Sequence, residues 1–155
     1  MSHEAWSRTW AWLFPLTYVL HATEEYACGE TFPAWISRIA GVHFTATNFL
    51  CLNGIAMAAM IGAVWLARAR DDCRWLLTTL ATVIAVNGAA HVIGSLATRS
   101  YSPGVVTGAC LWLPLGLAVL RSAWSSQPRD RFAHGVALGF AAHAVVSLSV
   151  WLSGT

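Results

Sequence analysis

Along the chain, apolar residues fall into five long runs separated by short polar breaks. The runs cover approximately residues 8–27, 45–67, 75–97, 104–123 and 132–153. Each is close to the roughly 20 residues a helix needs to cross a hydrocarbon core about 30 Å thick. Gly29-Glu30-Thr31-Phe32-Pro33 ends the first run, and a charged segment from Arg68 to Arg74 separates the second from the third. A turn from Arg99 to Gly104 precedes the fourth, and Ser125 to Arg131 precedes the fifth. Between the first two runs, residues 33–40 read as a short helix whose Trp35 and Arg38 suit a membrane–water interface. The pattern predicts an all-α integral membrane helical bundle of about five transmembrane helices plus a short interfacial helix, forming one domain over residues 1–155.

Composition narrows the class further. The chain is 57% hydrophobic and only 10% charged, where a soluble domain carries roughly 25% charged residues. That excludes a water-coated globule, a disordered chain and a disulfide-dense scaffold. Nine basic residues, all arginine, against seven acidic ones give no basic surface for nucleic acid. The expected partner is the lipid bilayer. Five spans place Arg8, Arg68, Arg70, Arg74, Arg121, Arg129 and Arg131 on one side and Arg38 and Arg99 on the other. The positive-inside rule then puts the N-terminus in the cytoplasm. Glu4 ahead of Arg8, and an apolar run leading into glutamates, argue against a cleaved signal peptide. The four cysteines are scattered; Cys28 and Cys51 fall toward the same side, where a disulfide is geometrically open, but free thiols are the expectation.

Ionisable residues inside a span are costly and are functional candidates. The first span ends in His21-Ala22-Thr23-Glu24-Glu25, so both glutamates flank the imidazole within one helical turn. The third carries Asn87, His91 and Ser95 at successive i, i+4 positions, and Tyr101-Ser102-Pro103-Gly104 leads into the fourth. Alternating span direction brings His21, Glu24, Glu25, Asn48, Asn87, His91 and Tyr101 into one layer, the outer half of the bundle. A pocket opening toward the outer face is expected there. Gly104 and Gly108, Gly135 and Gly139, and Gly54 with Ala58 and Gly62 offer faces for close helix packing, within the chain or in a homo-oligomer. Pro15 is expected to bend the first span, and His143 continues the Gly135–Gly139 face into the bundle.

The H-x-x-E-E run, a downstream histidine (His91) and Y-x-P-G at Tyr101–Gly104 resemble the HXXEE-motif family of small bacterial membrane proteins, across roughly residues 10 to 122. The resemblance implies membrane association, in a bacterium the inner membrane, and a site at these motifs. It implies no reaction.

The residues themselves suggest three chemistries. Two imidazoles and two carboxylates, His21, His91, Glu24 and Glu25, form a mixed N/O set suited to a divalent metal, zinc or iron. Asn87 and Tyr101 would then face the substrate or support the ligands. Such a centre would serve a membrane enzyme acting on a small lipophilic substrate. Alternatively Glu24 and Glu25 act without metal as an acid/base pair for isomerisation or cyclisation. A third possibility is a non-catalytic proton-linked carrier or lipid-binding protein, disfavoured by the small size and absence of an inverted repeat.

Overall fold

A computed structural model describes residues 9–153. Glu4, Arg8 and the first residue of the first expected span lie outside them. Every regular element among the described residues is helical. A 3₁₀ turn at Trp10–Trp12 leads into α1 (Leu13–Ala27). Then come α2 (Phe32–Ala40), α3 (Ala46–Ala69), α4 (Trp75–Thr98), α5 (Val105–Ser126) and α6 (Arg129–Leu152). The breaks read from the sequence coincide with the helix ends.

Four helices, α3 to α6, are long and apolar enough to cross a membrane. The first expected span differs. Its α-helix has 15 residues, about 22 Å at 1.5 Å per residue, and its last turns carry His21, Glu24 and Glu25 in place of apolar residues. Pro15 is the third residue of α1, directly after the 3₁₀ turn, close to the helix start where proline is best tolerated.

Helix α2 is delimited by side chains suited to the task. The Thr31 hydroxyl accepts from Ala34 N at 3.4 Å, Pro33 sits in the first turn, and Gly41 closes the helix at φ 68°. A forked Arg38–Glu30 pair, at 2.7 and 3.0 Å, ties the helix to its connector. It is solvent-exposed and contributes little to stability.

The bundle is organised around α4. Half of its spanning window is buried, against 17% in each of α3, α5 and α6. Apolar side chains gain little by leaving lipid for protein, so packing depends on close backbone approach. Gly135 lies against Trp75 O and Thr78, and Gly139 against Thr79 O and Thr82, so α6 runs parallel to α4. Gly116 meets Ala81 and Ala85 while Gly108 meets Gly88, so α5 runs antiparallel to it. The buried Thr82 hydroxyl is satisfied by donating to Thr78 O at 2.9 Å. Two of the three expected small-residue faces are thus used within the chain. The third is not: nothing lies within 4 Å of a Cβ at Gly54 or Gly62, because that side of α3 faces away from its neighbours.

One apolar core joins Phe14 to Val64, Ile84 and Trp112; a second gathers Val42, Phe44, Phe49 and Val150 at the opposite end. The polar site lies between them.

Candidate functional site

The last turns of α1 separate the two glutamates. Successive residues on a helix point about 100° apart, and here each carboxylate finds a different partner set. Glu24 turns to the start of α5: Oε1 accepts from Tyr101 Oη at 2.5 Å and Val106 N at 2.9 Å, and Oε2 from Thr107 N at 2.7 Å and Thr107 Oγ1 at 2.5 Å. A carboxylate on the free N–H groups of a helix start is favourably placed in charge as well as hydrogen bonding. Desolvation and the Glu24 carboxylate raise the Tyr101 phenol above its ordinary pKa, so Tyr101 remains a donor.

Glu25 turns to the histidines. Its Oε1 lies 3.2 Å from His91 Nε2 and 3.6 Å from His21 Nε2. All three side chains are buried, and one ligand atom from each lies within 4.8 Å of the others. The two imidazoles, far apart in sequence, have ring centroids 4.9 Å apart.

Hydrogen bonding fixes the state of His21. The single Thr107 hydroxyl proton is donated to Glu24, so that oxygen can only accept from His21 Nδ1, 2.7 Å away. His21 therefore carries its proton on Nδ1 and presents a lone pair at Nε2, which is buried without a hydrogen-bond partner. On the other side, His91 Nδ1 pairs with Ser102 Oγ at 3.1 Å. Both rings are held at Nδ1 by a hydroxyl and direct Nε2 toward Glu25.

The turn before α5 is built around this group. Tyr101 holds Glu24, Ser102 holds His91, and Pro103 is fully buried. Gly104, at φ 92°, fills the space beside the cluster: a Cβ there would lie 2.8 Å from His21 Cε1 and 3.0 Å from both Glu25 Cγ and His91 Cε1. Farther along α5, a π-helical stretch at Gly108–Trp112 carries the Trp112 ring onto His21, with centroids 3.7 Å apart and planes 26° apart. Such stretches occur often at functional sites.

His21, Glu25 and His91 line a cavity of about 360 Å³ together with Asn87, Trp112 and His143. His143 reaches it from α6, as the small-residue face predicted. Asn87 stands beside His21, and Trp112 Nε1 is buried and unpaired. Glu24 and Tyr101, expected in the same layer, do not line the cavity; they support it from behind. Asn48 is elsewhere, donating to Ser153 O at 3.4 Å near the ends of α3 and α6. Helix α2 adds Phe32, Trp35 and Ile36 to the lining of the cavity.

Sequence reasoning missed Ser102, Thr107 and Trp112. Ser102 occupies the variable position of Y-x-P-G, and nothing in a lone Ser, Thr or Trp near a helix start marks it as a partner of a distant histidine.

No curated protein and no solved structure matches the chain. The model of one protein family matches residues 12–119, which include α1 to α4, the turn and most of α5. His143 lies beyond the matched region. With a match over most of its length, the chain belongs to the HXXEE family, described as proteins of unknown function with an HXXEE motif, here His21 to Glu25.

Proposed function

We propose that this chain is a membrane-embedded enzyme whose His21, Glu25 and His91 bind one divalent metal ion, zinc or iron, to act on a small lipophilic substrate. The observation that carries the reading is the convergence of two imidazole Nε2 atoms and a carboxylate oxygen in a buried site, one of them with an unpaired lone pair. Two ligands at about 2.1 Å from a shared ion lie about 3.0–3.4 Å apart. The 3.2 Å separation between Glu25 and His91 falls in that range, and the 3.6 Å separation from His21 is slightly longer. Two histidines and one carboxylate are the ligand types of catalytic zinc sites and of non-haem iron sites that keep positions open. Thr107 and Ser102, at the Nδ1 atoms, are the orienting partners such ligands need. A metal bound here would polarise a substrate oxygen or lower the pKa of a water molecule. Glu24 orients rather than ligates.

A metal-free reading has one observation of its own: the 3.2 Å contact between His91 Nε2 and Glu25 is also that of an acid/base pair. Elemental analysis of protein purified without chelators decides between them. Near-stoichiometric zinc or iron, lost in His21→Ala and His91→Ala, is expected; folded protein without metal, and unable to take it up, refutes the metal centre.

The topology belongs to the same proposal: α1 as a fifth span, and a cytoplasmic N-terminus in the inner membrane of a bacterium. Single cysteines at Ser100 and Gln127, in a background without the native four, test it with a membrane-impermeant thiol reagent. Ser100 should react from outside and Gln127 only after permeabilisation.

A further inference from the structure

The cavity extends well beyond the three candidate ligands, and its remaining walls carry information about what enters it. Most of the lining is apolar, drawn from α2, α3, α4 and α6. Among the described residues its one carboxylate is Glu25, and no arginine lines it. Among the lining residues beside His21 is Trp112, 3% exposed, whose indole N–H has no acceptor. Indole nitrogen only donates, and buried donors are normally paired. Asn87, beside His21, belongs to the same wall.

Helices α3 and α6 both line the cavity, through Leu52 and Ala56 on one and Val146 and Ser147 on the other, yet each packs mainly against other elements. They come together near their ends, where Val150 joins the Phe49 cluster and Asn48 bonds Ser153. Ala90 of the central helix α4 is exposed although it lines the cavity. Leu52 and Ala56 are six and ten residues from the start of α3, about 9–15 Å along the axis. An opening at that depth faces acyl chains rather than water.

We infer that the cavity is a laterally fed binding site for a single-chain amphiphile with an uncharged oxygen head group, an alcohol or a ketone. The oxygen accepts from Trp112 Nε1 beside His21, and the tail leaves between α3 and α6 into the bilayer. With no ion at His21, Glu25 and His91, an anionic head would face Glu25 with no arginine among the described lining residues to offset it, so competition by the fatty acid is read on chelator-treated protein. This names a substrate class for the enzyme proposed above and rests on that reading for the reaction; the binding site itself stands on different residues.

Photolabelling in liposomes tests it, with a long-chain primary alcohol bearing a diazirine near the end of its tail. Saturable labelling of the α3 and α6 segments around Ala56 and Ser147 is expected. The unlabelled alcohol should compete, and the alkane and fatty acid of equal length should not. Trp112→Phe keeps the stacked ring but removes the donor, and should weaken competition by the alcohol about tenfold, the scale of one hydrogen bond of about 1.4 kcal/mol. Ser147→Trp, at the opening, should abolish labelling while metal content is unchanged. Unsaturable labelling, equal competition by the alkane or fatty acid, or a Trp112→Phe variant that competes like the parent overturns the inference. Metal content measured on the same samples separates the two readings: metal without saturable labelling sinks the binding site alone, and saturable labelling without metal sinks the metal centre alone.

Discussion

Gly104 faces His21 across a gap that does not admit one more carbon: a Cβ would come within 2.8 Å of His21 Cε1. The same atom would press on Glu25 and His91, and the backbone is in the left-handed region at φ 92°. Gly104→Ala therefore combines a backbone cost of about 1–2 kcal/mol with displacement of all three candidate ligands. The control is Gly29→Ala, which has a similar φ of 80° but nothing within 4 Å of the added carbon. Both variants should lose comparable backbone stability, whereas only Gly104→Ala should lose metal binding, by at least about tenfold in affinity. Equal metal binding in the two would remove the steric argument.

Thr107 links the two halves of the motif, accepting from His21 and donating to Glu24. Thr107→Ser keeps the hydroxyl and should retain metal affinity. Thr107→Val keeps the shape, leaves His21 Nδ1 and one Glu24 oxygen short of a partner, and should lower thermal stability by about 1–3 kcal/mol. Metal affinity should fall about 10–100-fold, as when other orienting groups are lost. Isothermal titration of the chelator-stripped protein with zinc, alongside thermal unfolding in detergent, reads both effects.

How far the sequence could be read follows from the range of the signals. Helices α3 to α6 were legible because a long apolar run bounded by arginine, proline or glycine has few alternatives in a bilayer. His21 and His91 were legible as a pair because alternating span direction brings the ends of α1 and α4 to one level. The division of labour between Glu24 and Glu25 was not legible. A helical wheel puts both beside His21, and the distinction depends on α5 presenting Val106 and Thr107 to one of them. That α2 lines the cavity was not legible for a similar reason: its amphipathic pattern suits an interface equally well with or without a cavity beside it.

The two adjacent glutamates should consequently respond differently. Glu25→Gln changes the carboxylate shared by His21 and His91, and stoichiometric metal should be lost even at saturating zinc. Glu24→Gln leaves the three-residue group intact but weakens the hold on Thr107 and Tyr101, so full stoichiometry should be reached with an affinity about 10–100-fold lower. Identical metal-binding curves for the two variants would count against separate roles.

The last prediction concerns the scaffold. Gly139 lets α6 approach α4 so closely that a Cβ would lie 2.5 Å from Thr82 Cβ and 2.8 Å from Thr79 O. Neither neighbour can yield easily, since Thr82 is buried and bonded to Thr78 O and the other contact is backbone. Gly139→Ala should therefore destabilise by the scale of overpacking, about 1–3 kcal/mol, and push α6 outward. Because His143 is one turn farther along α6, the cavity should deform with it. Gly54→Ala sits mid-helix with open space around the added carbon. There the ordinary helix preference of alanine over glycine applies, and a gain of about 0.5–1 kcal/mol is expected. Thermal unfolding in one detergent distinguishes the signs; a loss at Gly54 matching that at Gly139 would mean that a partner absent from the monomer, such as a second copy of the chain, covers that face of α3.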